Sequence, residues 1–232
     1  MRPRVALLVA SEGVDDAPRN FRRELPAVVS SFDVVNGEWP GSYGDYDAVV
    51  VSGSPYAVYD DREWIPKLRA WVRGAVDRRM PTLGVCFGHQ LVASALGGTV
   101  EPMDEFEVGF HEIRRVRDSL LLDGLDEWFT AFTVHGDEVT ALPDGAVRLA
   151  GNNFTDVHAF RCGHAFGVQF HPEFDLHTAK RALEMRDVRE DRIETVLGRL
   201  NRAHYREAVR VKRVFENFVG YVDAAHPHGR RV

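Results

Sequence analysis

The chain has 232 residues, of which 44% are hydrophobic and 28% are charged, and its formal net charge at pH 7 is −6. This length and composition are typical of one globular domain, and the acidic balance argues against a nucleic-acid partner, which needs a basic surface. Because no apolar segment approaches the roughly 20 residues that span a bilayer and only two cysteines occur, we expect a cytoplasmic protein without a membrane partner or a disulfide framework.

In the first half of the chain, short apolar runs alternate with amphipathic segments. Strands are expected at residues 5–10, 32–35, 48–51 and 82–85, and the continuous apolar character of the first is typical of a strand buried on both faces. A helix capped by Asp60 or Asp61 and ending at Arg79 precedes the last strand, and another helix follows it as far as Gly97. The alternation predicts an α/β fold of three layers, with a mostly parallel central sheet flanked by helices.

The second half of the chain changes character twice. Residues 100–170 are richer in short strands and turns, with a hairpin turn expected at 161–164. After Glu173 the pattern is helical almost to the end of the chain, with apolar residues on one face. We therefore divide the chain into an α/β domain, residues 1–175, and a C-terminal helical extension, residues 176–232, packed on the same domain.

The most informative segment surrounds Cys86. A short apolar strand leads into this cysteine, Gly84 and Gly88 flank it, and an amphipathic helix follows at once. This is the layout of a nucleophile elbow, with cysteine where hydrolases often carry serine. The glycines allow a sharp turn, and the start of the helix favours the thiolate. Cys86 is therefore predicted to be reactive, whereas Cys162, in a predicted turn, is interpreted as incidental.

A reactive cysteine needs a base and a group that orients the base. The best candidate base is His171, which an apolar strand delivers to the end of the sheet. Glu173 lies two residues further on, so in extended backbone its side chain points to the same side as the histidine. A carboxylate there can hold one imidazole nitrogen while the other faces the sulfur. The other histidines form no recognised metal-ligand spacing, so no metal is expected.

The motifs at residues 84–90 (Gly-Val-Cys-Phe-Gly-His-Gln) and 167–173 (Gly-Val-Gln-Phe-His-Pro-Glu) together resemble those of the class I, or triad-type, glutamine amidotransferases. More narrowly, the chain is similar to the stand-alone proteins related to the amidotransferase part of GMP synthase. The likeness covers the chain from the first strand to Glu173, and two motifs in this order are far more specific than either alone. It implies the flavodoxin-like fold of class I amidotransferases, with residues 1–175 as the amidotransferase domain.

The resemblance implies a role for each matching residue. Cys86 matches the nucleophile, His171 the general base, and Glu173 the carboxylate that orients the base. The positions that match the oxyanion hole are the backbone amides of Gly53, Ser54 and Phe87. The family often carries a second glycine where this chain has Ser54. The residues that match substrate-binding positions are Gln90, His135, Gly136 and Asp137.

The implied reaction is hydrolysis of the side-chain amide of glutamine through a thioester, releasing glutamate and ammonia without a metal or organic cofactor. No glycine-rich phosphate loop occurs, so either a separate synthetase subunit accepts the ammonia or the protein acts alone. The nearest alternative is a gamma-glutamyl peptidase or hydrolase, which needs an open pocket around Phe87, His89 and residues 56–59. Two further alternatives are a non-catalytic binding module and a redox or chaperone-like cysteine protein; the first would not need all three triad residues, and the second would not need Glu173.

Overall fold

The computed structural model describes residues 2–11, 16–184 and 202–225. The strands are β1 (Arg4–Val9), β2 (Val28–Asp33), β3 (Ala48–Val51), β4 (Thr82–Val85), β5 (Thr99–Arg115), β6 (Trp128–Ala141), β7 (Val147–Gly151), β8 (Ala159–Cys162) and β9 (Ala165–Val168). The described helices are α1 (Asp16–Glu24), α2 (Trp64–Asp77), α3 (Phe87–Ala95), α4 (Leu176–Glu184), α5 (Arg202–Ala208) and α6 (Arg213–Ala225). Within these ranges, no helix combines the length and the apolar character needed to cross a membrane.

All the strands belong to one sheet, in the order β2-β1-β3-β4-β9-β8-β7-β5-β6. The strands from β2 to β9 pair in parallel, and those from β9 to β6 pair antiparallel. The predicted α/β fold is confirmed, and its sheet is mixed. The parallel pairing of β4 with β9 matters most for the site, because it brings the chain that follows each strand to the same edge of the sheet.

The parallel strands are covered on both faces, as the continuous apolar runs predict. In β1, Val5 and Leu7 point into one core while Ala6 and Leu8 point into the other. The first core is closed by α1 and α6, and the second by α2 and α3. The described part of the C-terminal extension therefore supplies core residues to the sheet, and we propose that it folds together with residues 1–175.

This proposal predicts a large loss of stability when a core side chain of α6 is truncated. Phe218 is fully buried and its ring meets the edge of Phe166 at 6.2 Å between centroids. Phe218→Ala is expected to lower the free energy of unfolding by about 3–5 kcal/mol, measured by urea denaturation. The matched control is Phe154→Ala, because Phe154 is 51% exposed; it is expected to cost less than about 1 kcal/mol. Equal losses in the two variants would contradict the proposal.

Three sequence predictions on boundaries need correction or fall outside the described residues. The helix expected from Asp60 or Asp61 to Arg79 runs from Trp64 to Asp77 without a side-chain cap, because the Asp60 carboxylate instead accepts a hydrogen bond from the Ala57 amide at 3.0 Å. The strand expected at 32–35 is shifted to Val28–Asp33, since two serines of this edge strand interrupt its apolar pattern. The helical prediction for residues 185–201 and the assignment of the polar tail, residues 226–232, to the C-terminal extension lie outside the described residues.

Candidate active site

Cys86 lies at the junction of β4 and α3, where the backbone turns sharply. Its φ is 54° and its ψ is −110°, a conformation that costs a residue with a side chain roughly 1–3 kcal/mol. A Cβ at Gly84 would lie 2.1 Å from the carbonyl oxygen of Gly88, and a Cβ at Gly88 would lie 2.3 Å from that of Val51. Both positions therefore require glycine, and the result is the strained strand-to-helix turn on which a nucleophile elbow depends.

His171 and Glu173 follow β9, beside the strand that leads to Cys86. Nδ1 of His171 donates a hydrogen bond of 2.8 Å to Oε1 of Glu173, and only 6% of the histidine and 2% of the glutamate is exposed. Phe174 stacks on the imidazole with 4.1 Å between ring centroids. Because the carboxylate occupies Nδ1 and the aromatic ring covers one face, the second ring nitrogen, Nε2, is left for a neighbouring group.

Gly53, in the turn after β3, shows how close the cysteine and the histidine lie. A Cβ at Gly53 would be 3.1 Å from Cε1 of His171 and 3.6 Å from Cβ of Cys86. Buried Ser52 holds this turn in place, because its hydroxyl accepts from the Ala10 amide at 3.0 Å and donates to the Gly53 carbonyl at 2.9 Å. The first predicted oxyanion position is thus adjacent to both of the predicted catalytic side chains.

The charges around His171 favour its protonated form. Burial alone disfavours the imidazolium, but the negative charge of Glu173 and that of the Cys86 sulfur outweigh it and raise the pKa of His171 to about 10. The imidazolium is therefore the form of His171 that the site stabilises around neutral pH.

The raised pKa of His171 predicts how stability depends on pH. A histidine with a higher pKa in the folded state stabilises that state fully below its unfolded pKa of about 6.5, and the contribution is lost as the pH rises through about 10. The difference in free energy of unfolding between the wild type and His171→Asn is therefore expected to shrink across this range. Urea denaturation at several pH values measures it, and a difference that stays constant or grows would contradict the assignment.

The other predicted site residues line one cavity of about 330 Å³. Its walls include Ser54, Cys86, Phe87, Gln90, His135, Gly136 and Asp137. The amide nitrogen of Gln90 donates to the carbonyl of Asp137 at 2.9 Å, so α3 is tied to β6 at the cavity wall. The predicted nucleophile, two predicted oxyanion positions and all four predicted substrate residues thus share this space, which we call the elbow cavity.

The aromatic residues expected near a peptidase pocket divide between the cavity and the core. Tyr56 and Tyr59 line the elbow cavity, and the hydroxyl of Tyr59 donates to Oδ1 of Asp137 at 2.5 Å, which links its two rims. His89 is fully buried, its ring lies 5.0 Å from that of Phe160 between centroids, and burial lowers its pKa to about 3. The expectation that His89 borders the opening is therefore wrong, because this side of α3 packs on the sheet.

Glu107 is a residue beside the elbow cavity that the sequence did not indicate. Its Oε2 lies 3.0 Å from Nε2 of His135 and 3.1 Å from Nε2 of His158, and its Oε1 accepts from Asn152 at 2.7 Å. Burial opposes a charge here, but the hydrogen bonds from the two histidines and their positive charges dominate and lower the pKa of Glu107 far below its usual range. Since Nδ1 of His135 also bonds the Asp137 carbonyl at 3.0 Å, Glu107 anchors the strand segment that lines the cavity.

The same three side chains have the geometry of a metal site. Ligand atoms of Glu107, His135 and His158 all lie within 4.8 Å of one another, and two imidazoles with one carboxylate suit zinc. However, the carboxylate oxygens of Glu107 already accept hydrogen bonds from Asn152 and from Thr155, the latter at 3.1 Å. The carboxylate of Glu107 is therefore already satisfied by hydrogen bonds from His135, Asn152 and Thr155.

A cysteine on a strained strand-to-helix turn, beside a histidine held by a carboxylate, is the arrangement typical of enzymes that attack amides and esters. Sequence comparison gives the family directly: residues 19–190 match the family model of class-I glutamine amidotransferases. This match covers most of the chain. The protein therefore belongs to the class I glutamine amidotransferase family.

Individual relatives point to two kinds of enzyme. The chain is 41% identical over 128 residues to a glutamine-hydrolysing GMP synthase from Porphyromonas gingivalis, a match that covers 54% of this chain and 24% of that protein. It is 31% identical over 154 residues to gamma-glutamyl peptidase 3 of Arabidopsis thaliana, covering 62% of each chain. The chain thus spans about a quarter of the length of the GMP synthase that it matches.

Among solved structures, a glutamine amidotransferase from Thermotoga maritima superimposes with a TM-score of 0.79 at 22% identity. The superposition covers 96% of this chain and 98% of that one. At this level of identity the likeness shows the fold alone, and it agrees with the mixed sheet between helices described above.

Proposed function

We propose that the protein hydrolyses the side-chain amide of glutamine to glutamate and ammonia, with Cys86 as the nucleophile, His171 as the acid and base, and Glu173 as the residue that orients the histidine. The observation that carries the proposal is the hydrogen bond of 2.8 Å between His171 and Glu173 beside a cysteine held at a positive φ of 54°. Membership of the amidotransferase family supports it.

The first half of the reaction forms a thioester. The thiolate of Cys86 attacks the amide carbon, and the oxyanion that develops faces the backbone amides of the turn at Gly53 and Ser54 and of Phe87. By comparison with other enzymes, one such donor contributes about 3 kcal/mol of barrier lowering. His171 then gives its proton to the departing nitrogen as the carbon–nitrogen bond breaks, so ammonia leaves and the acyl group stays on the sulfur.

The second half restores the enzyme. His171, now neutral, takes a proton from water, whose oxygen attacks the thioester carbon. The carbon–sulfur bond breaks, glutamate leaves, and the proton returns to the cysteine–histidine pair. Through both halves Glu173 holds Nδ1 of the imidazole, so that Nε2 always faces the sulfur. The amino-acid end of glutamine is assigned to the part of the elbow cavity formed by Gln90 and residues 135–137.

A substrate panel with a labelling control tests this proposal. The purified protein is expected to release glutamate and ammonia in equal amounts from glutamine. An electrophilic glutamine analogue is expected to alkylate Cys86, with protection by glutamine, detected by mass spectrometry. A binding module would release nothing, and a redox cysteine would react without protection by glutamine. The absence of both glutamate release and protected labelling would overturn the proposal.

The second candidate function is that of a gamma-glutamyl peptidase or hydrolase, which acts without a synthetase. The likeness to gamma-glutamyl peptidase 3 favours it, and it uses the same three residues. If glutamine is the physiological substrate, we propose that a synthetase subunit accepts the ammonia. Measuring kcat/KM for glutamine and for gamma-glutamyl peptides, with and without candidate synthetases, separates the two functions.

A further inference from the structure

A second cavity opens on the histidine side of the candidate triad. It has a volume of about 140 Å³ and lies between α1 and α4, and we call it the α1/α4 cavity. His171 and Glu173 form its inner end, and Asn20 and Thr178 belong to its two helical walls. Gly53, whose amide is one of the proposed oxyanion donors, also lines it, but no step proposed so far places a leaving group in this space.

The two cavities share three wall residues close to Cys86. Ser54, Pro55 and Val134 line both of them, so these residues form the partition between the elbow cavity and the α1/α4 cavity. The carbonyl oxygen of Val134 is 3.9 Å from Sγ of Cys86. A carbon bonded to the sulfur therefore lies at the partition, with one cavity on each side.

The proposed reaction places the acyl chain of the substrate in one cavity and the departing nitrogen in the other. The acyl chain belongs in the elbow cavity, where Gln90 and Asp137 form the wall. The departing nitrogen must lie against His171, because it takes a proton from that residue. Since His171 lines the α1/α4 cavity, any substituent on the departing nitrogen extends into that cavity.

The size of the α1/α4 cavity exceeds what ammonia needs. Water, which is similar in size to ammonia, takes about 30 Å³ in the liquid, whereas this cavity measures about 140 Å³. It therefore has room for a leaving group of roughly five non-hydrogen atoms.

The walls of the α1/α4 cavity favour an uncharged leaving group. Arg181 donates to the carboxylate of Asp16 at 2.8 Å, and the amide of Asn20 donates to the hydroxyl of Thr178 at 2.9 Å. These polar groups satisfy one another, so a carboxylate on the leaving group would have to displace Asp16 from Arg181. Ser11 and Ser54 also lie in the wall, but most of the rest is apolar and includes Ala17, Pro55, Val134, Phe174 and Ala182.

We infer that the α1/α4 cavity is a binding subsite for the leaving amine of gamma-glutamyl alkylamides; the inference rests on the proposed function and names a substrate class for the same triad. Cys86 Sγ bonds to the carbonyl carbon of the gamma-amide, the bond from this carbon to nitrogen breaks, and the proton of His171 passes to the nitrogen, which leaves as a primary alkylamine. Water then cleaves the thioester. The products are glutamate and the amine, from one substrate molecule and one water.

Three substrates test the inference in the wild-type protein: glutamine, gamma-glutamylethylamide and gamma-glutamylglycine. The kcat/KM for gamma-glutamylethylamide is expected to lie within tenfold of the kcat/KM for glutamine. The kcat/KM for gamma-glutamylglycine is expected to be at least tenfold lower than that for the ethylamide, because its leaving group carries a carboxylate. If glutamine is hydrolysed and the ethylamide is more than tenfold slower, the inference is overturned while the proposed function stands. If the glycine compound matches or exceeds the ethylamide, the apolar assignment is overturned. If no substrate is hydrolysed, the proposed function itself fails.

Filling the cavity tests its location. Ala182→Leu on α4 and Ala17→Leu on α1 each add bulk to one wall. Each is expected to lower the ratio of kcat/KM for the ethylamide to that for glutamine at least tenfold. The matched control is Ala70→Leu, at an exposed position of α2, which is expected to leave the ratio within twofold. Thermal unfolding shows which variants fold, and an unchanged ratio in a folded cavity variant would overturn the inference.

Discussion

Cys86→Ala is expected to lower kcat for glutamine hydrolysis by roughly 10⁶-fold, because removing the nucleophile of a comparable triad costs about that much. The residual rate would come from binding and from the oxyanion donors, which do not need the sulfur. Ammonia and glutamate release at saturating glutamine measure the effect. A Cys86→Ala protein that retained a tenth of the wild-type rate would exclude the assigned mechanism.

A second variant at Cys86 separates loss of chemistry from loss of fold. The cysteine has a φ of 54°, which strains any side chain but not glycine. Cys86→Gly is therefore expected to be as inactive as Cys86→Ala and more stable to urea by about 1 kcal/mol. An inactive protein that is more stable than its alanine counterpart cannot owe its inactivity to unfolding.

The features that the sequence predicted best are local along the chain. The elbow needs one glycine two residues before Cys86 and another two residues after it. The structure shows why, because a Cβ at Gly84 or Gly88 would collide with backbone atoms. The spacing of His171 and Glu173 is likewise contained in three residues, but the structure brings the two side chains together through a turn at residues 172–173 and not in the extended backbone that the sequence suggested. Alternating apolar runs were enough to predict the α/β fold.

Features that depend on strand register had no local signal. Glu107 reaches His135 because β5 pairs antiparallel with β6 after an irregularity between Pro102 and Glu107, and His158 joins them just before β8. No spacing rule predicts which residues a bulge brings together. For the same reason the sequence carries no signal for Glu107, although its hydrogen bond with His135 anchors the cavity wall.

The packing of α1 against α4 had no local signal in the sequence either. Asn20 and Thr178, which both line the α1/α4 cavity, are 158 positions apart and hydrogen-bond across two helices. The sequence predicted a helical segment after Glu173 but nothing about its distance from α1. A cavity forms where two packed surfaces leave space between them, so its position can be found only from the folded structure.

Glu173→Gln is the second variant with a large expected effect, because it changes the hydrogen-bonding pattern of the histidine with little change in shape. The carboxylate accepts from Nδ1 of His171, which fixes the proton there and leaves Nε2 facing the sulfur. A glutamine amide can instead donate to Nδ1, which leaves the ring neutral, with its proton on Nε2 and without the negative charge that stabilises the imidazolium. By comparison with the equivalent change in a serine protease, kcat is expected to fall about 10³–10⁴-fold.

Comparison with a surface variant separates the orienting role of the Glu173 carboxylate from the general effect of removing one negative charge. Glu127→Gln, at an exposed residue paired with Arg114, removes the same charge from the surface and is expected to change kcat less than twofold, since exposed pairs contribute little. Alkylation of Cys86 is expected to slow in Glu173→Gln as well, because the imidazolium that stabilises the thiolate loses its buried counter-charge. If Glu173→Gln hydrolysed glutamine within tenfold of the wild-type rate, the carboxylate would have no orienting role and the triad would reduce to a cysteine–histidine pair.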